Sequence, residues 1–224
     1  MTHGAERGMA GVQAAEELTG SYVRWRSSRL GRITDAIERQ LLARLLGKID
    51  GKKLLDVGCG DGALLQLLKR ECNARGRGIE IDPNKAHRCV VRGMSVVQGD
   101  AERDLGEFPS GAFEYVVFSR TLQHFRRPQA ALKQAGRIGQ QVIVSIANAG
   151  RWDKRLQMLT EGRLGPSEHL QRYTVRDFAD LAREMRFTIE RAVPLSHGAA
   201  GAPFAKTIWR ANWFAEEAVF LLTP

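Results

Sequence analysis

The stretch Leu54-Leu55-Asp56-Val57-Gly58-Cys59-Gly60-Asp61-Gly62 decides how the rest of the chain is read. Residues 53–57 form a short apolar strand pattern that runs straight into three glycines at alternate positions. A helical pattern then follows over 63–72. In a strand–glycine turn–helix unit the chain can turn tightly and a ligand can approach the backbone. The helix beyond the turn presents N–H groups with no intrahelical acceptor and the positive end of its dipole, so an anionic group is favoured there. Gly58-x-Gly60-x-x-Ala63 also satisfies the loose nucleotide fingerprint G-x-G-x-x-G/A, which by itself is a weak signal.

The alternation continues outward from this unit. Residues 77–81 read as a strand, Pro83 opens a helix where its missing N–H costs nothing, and 94–97 read as a third strand. Residues 113–118 are a fourth strand, Pro128 starts a helix ending near Gly139, and 141–147 form the continuous apolar run expected of a strand covered on both faces. Helical patterns follow over 151–161 and 174–185, with late strands over 187–193 and 217–222. Upstream, Leu30, Ile33, Ile37, Leu41, Leu45 and Ile49 make one apolar stripe at helical spacing, and Gly51 follows as a stop. Strands alternating with helices predict parallel βαβ units. The expected fold is α/β: a doubly wound, mostly parallel seven-stranded sheet with an N-terminal helical cover. The chain divides into a flexible leader (1–20), N-terminal cover helices (21–50) and a ligand-binding domain (51–224), with a Gly- and Ala-rich mobile loop over 196–206.

Composition bounds the rest. A chain of 224 residues, 43% hydrophobic and 26% charged, is long enough to bury a core without staples, which excludes wholesale disorder and a disulfide miniprotein. The formal net charge of +9 permits nucleic acid, anionic lipid or an acidic metabolite as partner without choosing among them. Cys59, Cys72 and Cys89 show no C-x-x-C spacing, which fits reduced thiols in a cytoplasmic protein. No apolar run reaches the roughly 18 residues of a membrane span, and the first twenty residues lack a secretory apolar region.

Two acids extend the site. Glu80 closes the second strand, where a carboxylate can accept ribose hydroxyls. Asp100 closes the third strand in Val96-Val97-Gln98-Gly99-Asp100, where a carboxylate can take the amino group of a base. A glycine turn and two acids at three consecutive strand ends converge on the edge of an open sheet where ligands bind.

These residues carry a resemblance. Asp56-x-Gly58-x-Gly60-x-Gly62, Gly78-Ile79-Glu80, Gly99-Asp100 and Phe113-Glu114-Tyr115-Val116-Val117 resemble the successive motifs of class I S-adenosylmethionine-dependent methyltransferases, whose fold is Rossmann-like. The stretches LLDVGCGDG, GIEID, VVQGD, YVVFSRTLQ and IVSIAN resemble the methionine biosynthesis protein MetW family. The leader Tyr22-x-x-Trp25 with Gly31 is more similar to the type-11 small-molecule methyltransferases. The resemblance implies S-adenosyl-L-methionine as cofactor. The loop of Gly58, Cys59, Gly60 and Gly62 would pass under its methionine moiety, with Cys59 as a small apolar filler. Asp56 would anchor the loop or reach the amino group through water, and Glu80 would hold the ribose. Ile81 would pack on the adenine, and Asp100 with Ala101 would read the adenine edge. Tyr22 and Trp25 would fold over the cofactor.

The acceptor side follows the fourth strand, in Ser119-Arg120-Thr121-Leu122-Gln123-His124-Phe125. Ser119 and its neighbours should sit over the methyl group, and His124 is the acid/base candidate for catalysis. Arg24, Arg26, Arg29 and Arg32 could hold a carboxylate-bearing acceptor or form a solvated helix face. Trp209 and Trp213 read as packing or a lid edge. His87, His169 and His197 are isolated, and no clustered His, Cys or acids suggest a metal. The expected activity is methyl transfer to O, N or C of a small, acidic or phenolic metabolite. A MetW-like alternative is a cofactor-binding partner that regulates a homoserine acyltransferase. Nucleic-acid methylation is disfavoured, because the [N/D/S]-P-P-[Y/F] box of amino-directed members is absent after the fourth strand and the basic residues are not clustered with stacking aromatics.

Overall fold

The computed structural model describes residues 29–162, 170–196, 199–200 and 208–224. The 1–20 leader, Tyr22, Arg24, Trp25, Arg26, His169, His197 and most of the 196–206 loop lie outside the described residues.

At the centre stands β1 (Lys53–Val57), with β2 (Arg75–Glu80) on one side and β4 (Phe113–Ser119) on the other, both parallel to it. Beyond β2 lies β3 (Ser95–Gln98), and beyond β4 lies β5 (Gly139–Ala147), again parallel. The last strand, β8 (Glu217–Thr223), runs antiparallel between β5 and β6 (Thr188–Ser196), and a two-residue β7 (Ala199–Ala200) ends the sheet. The order is β3-β2-β1-β4-β5-β8-β6-β7. The sequence reading gives seven of these eight strands; the eighth is the two-residue β7. The order reverses between β1 and β4, and such a reversal leaves a crevice at the strands' carboxyl ends.

Helices cover both faces. On one face are α1 (Arg29–Leu46), α2 (Ala63–Cys72) and α3 (Pro83–Val91), whose Leu42, Leu65, Leu68 and Cys89 pack on Leu54, Val117 and Ile143. After β3 comes the short α4 (Ala101–Asp104). The other face carries α5 (Pro128–Ile138) and α7 (Val175–Glu184), whose Leu132 and Phe178 pack with Leu55, Val57 and Phe118. Leu54 faces one layer and its neighbour Leu55 the other, as the two-residue period of a strand requires. Burial of both faces explains why β1, β4 and β5 read as apolar runs rather than as alternating patterns.

One helix differs from the sequence reading, and another is unusual in its burial. The helix α8 (Ile208–Phe214) lies where no element is expected. The helix α6 (Trp152–Glu161) is expected, but it buries none of its residues, and its stripe of Trp152, Leu156 and Leu159 faces outward. Strand ends also shift: β2 starts at Arg75 and stops at Glu80, leaving Ile81 beyond it, and β3 runs Ser95–Gln98, so Asp100 caps a helix rather than closing a strand.

Asn148, just past β5, ties α8 and the start of α7 to the sheet. Its Nδ2 donates toward the carbonyls of Asn212 (3.1 Å), Ala215 (2.8 Å) and Ala211 (3.3 Å), and its Oδ1 accepts from Gly150 N (2.9 Å) and Val175 N (3.3 Å). Two N–H bonds shared among three carbonyls make a bifurcated contact. Removing the amide leaves several buried backbone groups unpaired at about 1–3 kcal/mol each. Asn148→Ala should therefore lower unfolding free energy by about 3 kcal/mol, measured by urea titration, with a larger loss of protection in α7 and α8 than in β1.

Candidate functional site

The glycine turn after β1 is built by backbone geometry. Gly58, Gly60 and Gly62 have φ of 74°, 58° and 79°, a left-handed region that other residues enter only at a cost. Gly58 is constrained twice, because a Cβ there would lie 2.4 Å from Thr121 Cγ2 and 2.8 Å from Thr121 Oγ1. The turn after β1 and the turn after β4 thus meet at the point where strand order reverses. Gly58 N and Cys59 N both donate to the Ile79 carbonyl, which pins the loop to β2. Cys59 is buried, with its thiol close to Cys89, and burial pushes both thiols above their usual range.

Glu80, 6% exposed, is fixed at the end of β2: its Oε2 accepts from Gly60 N (2.8 Å) and its Oε1 from Asp82 N (3.0 Å). Ile81 beside it is 65% exposed, an aliphatic side chain presented to solvent at the sheet edge. Asp100 caps α4, with Oδ1 accepting from Glu102 N (3.0 Å), and Ala101 is the first residue of that helix. These acids and the loop share one edge, as the sequence places them.

In the acceptor half, the segment after β4 lies where the sequence puts it, but the ion cluster around Arg120 was not foreseen. Arg120 directly follows β4 with φ of 53°, unusual for a residue with a side chain. Its guanidinium is buried, with Nε 2.9 Å from Glu38 Oε2 on α1 and Nη2 2.6 Å from Glu217 Oε1 on β8. These contacts are ion pairs, not aligned hydrogen bonds. Arg120 N donates to Ser145 Oγ (2.8 Å), and both Ser145 and Ser119 (2.9 Å) donate their hydroxyls to Glu38 Oε1. Ser119, expected over the methyl group of the cofactor, thus donates its hydroxyl hydrogen bond to Glu38. Gln123, also buried, grips Ala147 through both its N–H (2.8 Å) and its carbonyl (3.0 Å). This clamp and Arg120 hold the 119–125 segment against β5, leaving His124 exposed on its outer side. Glu38 escaped notice because it is an acid set within an apolar stripe: it lies three and four residues before Leu41 and Leu42, on the buried face of α1.

Trp209 is 61% exposed on α8, and Trp213 lies under the Arg155 guanidinium, 4.4 Å from its ring centroid, so at least Trp209 is not core packing. Among the described residues no group of His, Cys, Asp or Glu could hold a metal ion, and no helix is long and apolar enough to cross a membrane.

Asp56 lies between the two halves. It is 1% exposed, and its Oδ1 has no hydrogen-bond partner. Burial, then Glu38 and Glu80, raises its pKa to about 7.

The fold is that of solved S-adenosylmethionine-dependent methyltransferases. A methyltransferase of that type from Archaeoglobus fulgidus superposes with a TM-score of 0.67 at 14% identity, over 91% of this chain and 99% of that one. One from Thermotoga maritima, described as a possible histamine N-methyltransferase, gives 0.65 at 19% identity over 94% and 98%. Within that class, the model of the family described as methionine biosynthesis protein MetW matches residues 39–222, and the chain belongs to this family. It is 28% identical over 121 residues to a bifunctional methionine biosynthesis protein MetXA/MetW of Rhodopirellula baltica (50% of this chain, 19% of that protein). It is 30% identical over 115 residues to a ubiquinone biosynthesis O-methyltransferase of Klebsiella pneumoniae (48% and 47%). The chain spans less than half the length of these curated relatives.

The charge of Asp56 gives a sign-defined prediction. Its folded pKa lies above the unfolded value, so the folded protein binds the extra proton between about pH 4 and 7. The resulting stability is fully present below the unfolded pKa and is lost as pH rises through about 7. Asp56→Asn should match wild type in stability near pH 4 and exceed it by up to about 4 kcal/mol at pH 8, in chemical denaturation without ligand. Parallel curves for the two proteins across this range would refute the assignment.

Proposed function

We propose that the chain binds S-adenosyl-L-methionine across the carboxyl ends of β1, β2 and β3 and transfers its methyl group to an oxygen, nitrogen or carbon of a small metabolite. The observation that carries this reading is the buried Glu80 carboxylate, locked by Gly60 N and Asp82 N beside a loop of three left-handed glycines. Each carboxylate oxygen accepts one backbone N–H and keeps further lone-pair capacity for a ribose hydroxyl. Gly58, Cys59, Gly60 and Gly62 give the methionine moiety a surface without protruding side chains, and exposed Ile81 offers an apolar face for adenine. Asp100 and Ala101 stand at the adenine edge, and Asp56 faces the cationic end of the ligand. Tyr22 and Trp25 are proposed to close over it from the 21–50 cover.

When bound, the cofactor supplies a methyl group on a positively charged sulfur, open to in-line displacement. The protein contributes position. The Gly58–Thr121 contact fixes the distance between the cofactor loop and the acceptor segment, and orientation of this kind can provide most of the acceleration. His124, exposed on that segment, would take the proton of a hydroxyl acceptor as the methyl group arrives. Arg120 is engaged by Glu38 and Glu217, which makes a neutral or phenolic acceptor a better fit than one needing a free cation there.

A second reading is favoured by a different observation. The outward stripe of Trp152, Leu156 and Leu159 on α6 and the exposed Trp209 and Phe214 on α8 suit a protein partner, and the Rhodopirellula relative joins MetXA and MetW in one chain. In this reading the chain regulates a homoserine acyltransferase. Leu156→Glu with Leu159→Glu should then abolish co-purification with such an enzyme while leaving cofactor binding intact.

Calorimetric titration separates binding from its absence: both S-adenosylmethionine and S-adenosylhomocysteine should bind with micromolar affinity or better. Gly58→Ala should weaken both at least tenfold, because its Cβ meets Thr121, and Glu80→Gln should do so with the fold intact. Homocysteine-release screening against metabolite pools should find an acceptor, and His124→Ala should slow turnover on a hydroxyl acceptor by about 100-fold. Full turnover in that variant removes the base.

A further inference from the structure

More acid than base gathers around Asp56. Glu38 faces it from α1 and Glu80 from β2, and the thiols of Cys59 in the glycine loop and Cys89 on α3 lie near enough to feel its charge. Arg120, past β4, is ion-paired with Glu38 and with Glu217 of β8. Among the described residues, four carboxyl groups, those of Glu38, Asp56, Glu80 and Glu217, thus stand against one buried guanidinium. Glu80 is satisfied by two backbone N–H groups, and Glu38 by two hydroxyls and Arg120. Asp56 Oδ1 is left without a donor at 1% exposure. A buried carboxylate in that position is relieved in one of two ways: it keeps a proton, or it meets a cation.

We propose that Asp56, tuned by Glu38, is a proton-exchanging seat for the cationic end of the methyl donor, holding a proton in the empty protein and releasing it as the ligand's positive charge arrives. This rests on the methyl-donor reading of the site. It adds Glu38, on the cover helix and outside every glycine-loop motif, to the residues that set donor affinity. In the exchange the O–H bond of the Asp56 carboxyl breaks and the proton passes to solvent. The ligand's ammonium or sulfonium keeps its own bonds and takes the proton's place beside the carboxylate. No electrons are transferred. Burial and the two neighbouring acids put the exchange close to neutral pH. About half a proton is then released per ligand at pH 7, nearly one at pH 6 and nearly none above pH 8.

The test is titration calorimetry of the full chain with S-adenosylmethionine and, separately, S-adenosylhomocysteine, in phosphate and in Tris at the same pH. The heats should differ between the two buffers at pH 7, and affinity should rise about tenfold from pH 6 to pH 8. Release with both ligands assigns the cation to the ammonium, and release with S-adenosylmethionine alone assigns it to the sulfonium. Asp56→Asn should bind with buffer-independent heat and a flat pH profile. Glu38→Gln should release fewer protons at pH 7, because one acid holding up the Asp56 proton is gone; this second variant keeps the test decisive if Asp56→Asn misfolds. Tight binding with equal heats in both buffers, or proton release that survives in folded Asp56→Asn, overturns the proposal. No binding of either ligand by the folded wild type sinks the methyl-donor reading instead, and the proton exchange with it.

Discussion

Desolvating a guanidinium costs several kcal/mol, and the carboxyl end of this sheet is organised around one that is buried. Arg120 recovers that cost only because Glu38 and Glu217 reach it from opposite directions, one on the first described helix and the other on the last strand. Through Ser145 and Ser119 the same cluster takes in β5 and the end of β4. Four elements distant in sequence are thereby held in one arrangement. The left-handed backbone at Arg120 is the strain that this arrangement sustains. Thr121 follows immediately and rests against Gly58, so the ion cluster also governs how closely the β4 turn approaches the glycine loop.

Seen this way, the site has two halves of different physical character. The half at β1, β2 and β3 is made of backbone: glycines in left-handed conformations, amide groups on Glu80 and a helix capped by Asp100. The half beyond β4 is made of charged and amide side chains gripping strand ends. The first offers a ligand a surface of backbone groups, and the second sets where the segment after β4 lies against that surface. Whole-chain superposition at 14–19% identity reflects the shared scaffold, whereas the MetW match separates this chain within it.

Legibility in the sequence follows that division. The glycine loop could be read directly because the apolar run of β1 leads into it, whereas β2 and β3 carry little apolar signal of their own and their ends lay at Glu80 and Gln98 rather than where the sequence put them. The strands β1, β4 and β5 were plain for the same reason, since burial on both faces leaves little room for polar residues. Glu38 shares the buried face of α1 with Leu41 and Leu42, but an acid there announces no partner, and only the fold brings Arg120 of the β4 turn to meet it. Arg120 and Glu217 look like ordinary surface charges until the antiparallel return of β8 brings them together. The helix α8 was missed because it is short and its aromatic residues stay half in solvent, so it lacks the stripe by which helices are recognised.

The thiols buried behind the glycine loop have a use of their own. Cys59 and Cys89 sit under the turn, and burial suppresses the thiolate form of each. An alkylating reagent therefore reacts with them only when the turn lifts from β2 and α3. Their rate of modification is a clock for that opening, readable by mass spectrometry on unlabelled protein and in the presence of any small molecule. The chain carries its own gauge of how tightly the loop is closed, independent of what it does to an acceptor.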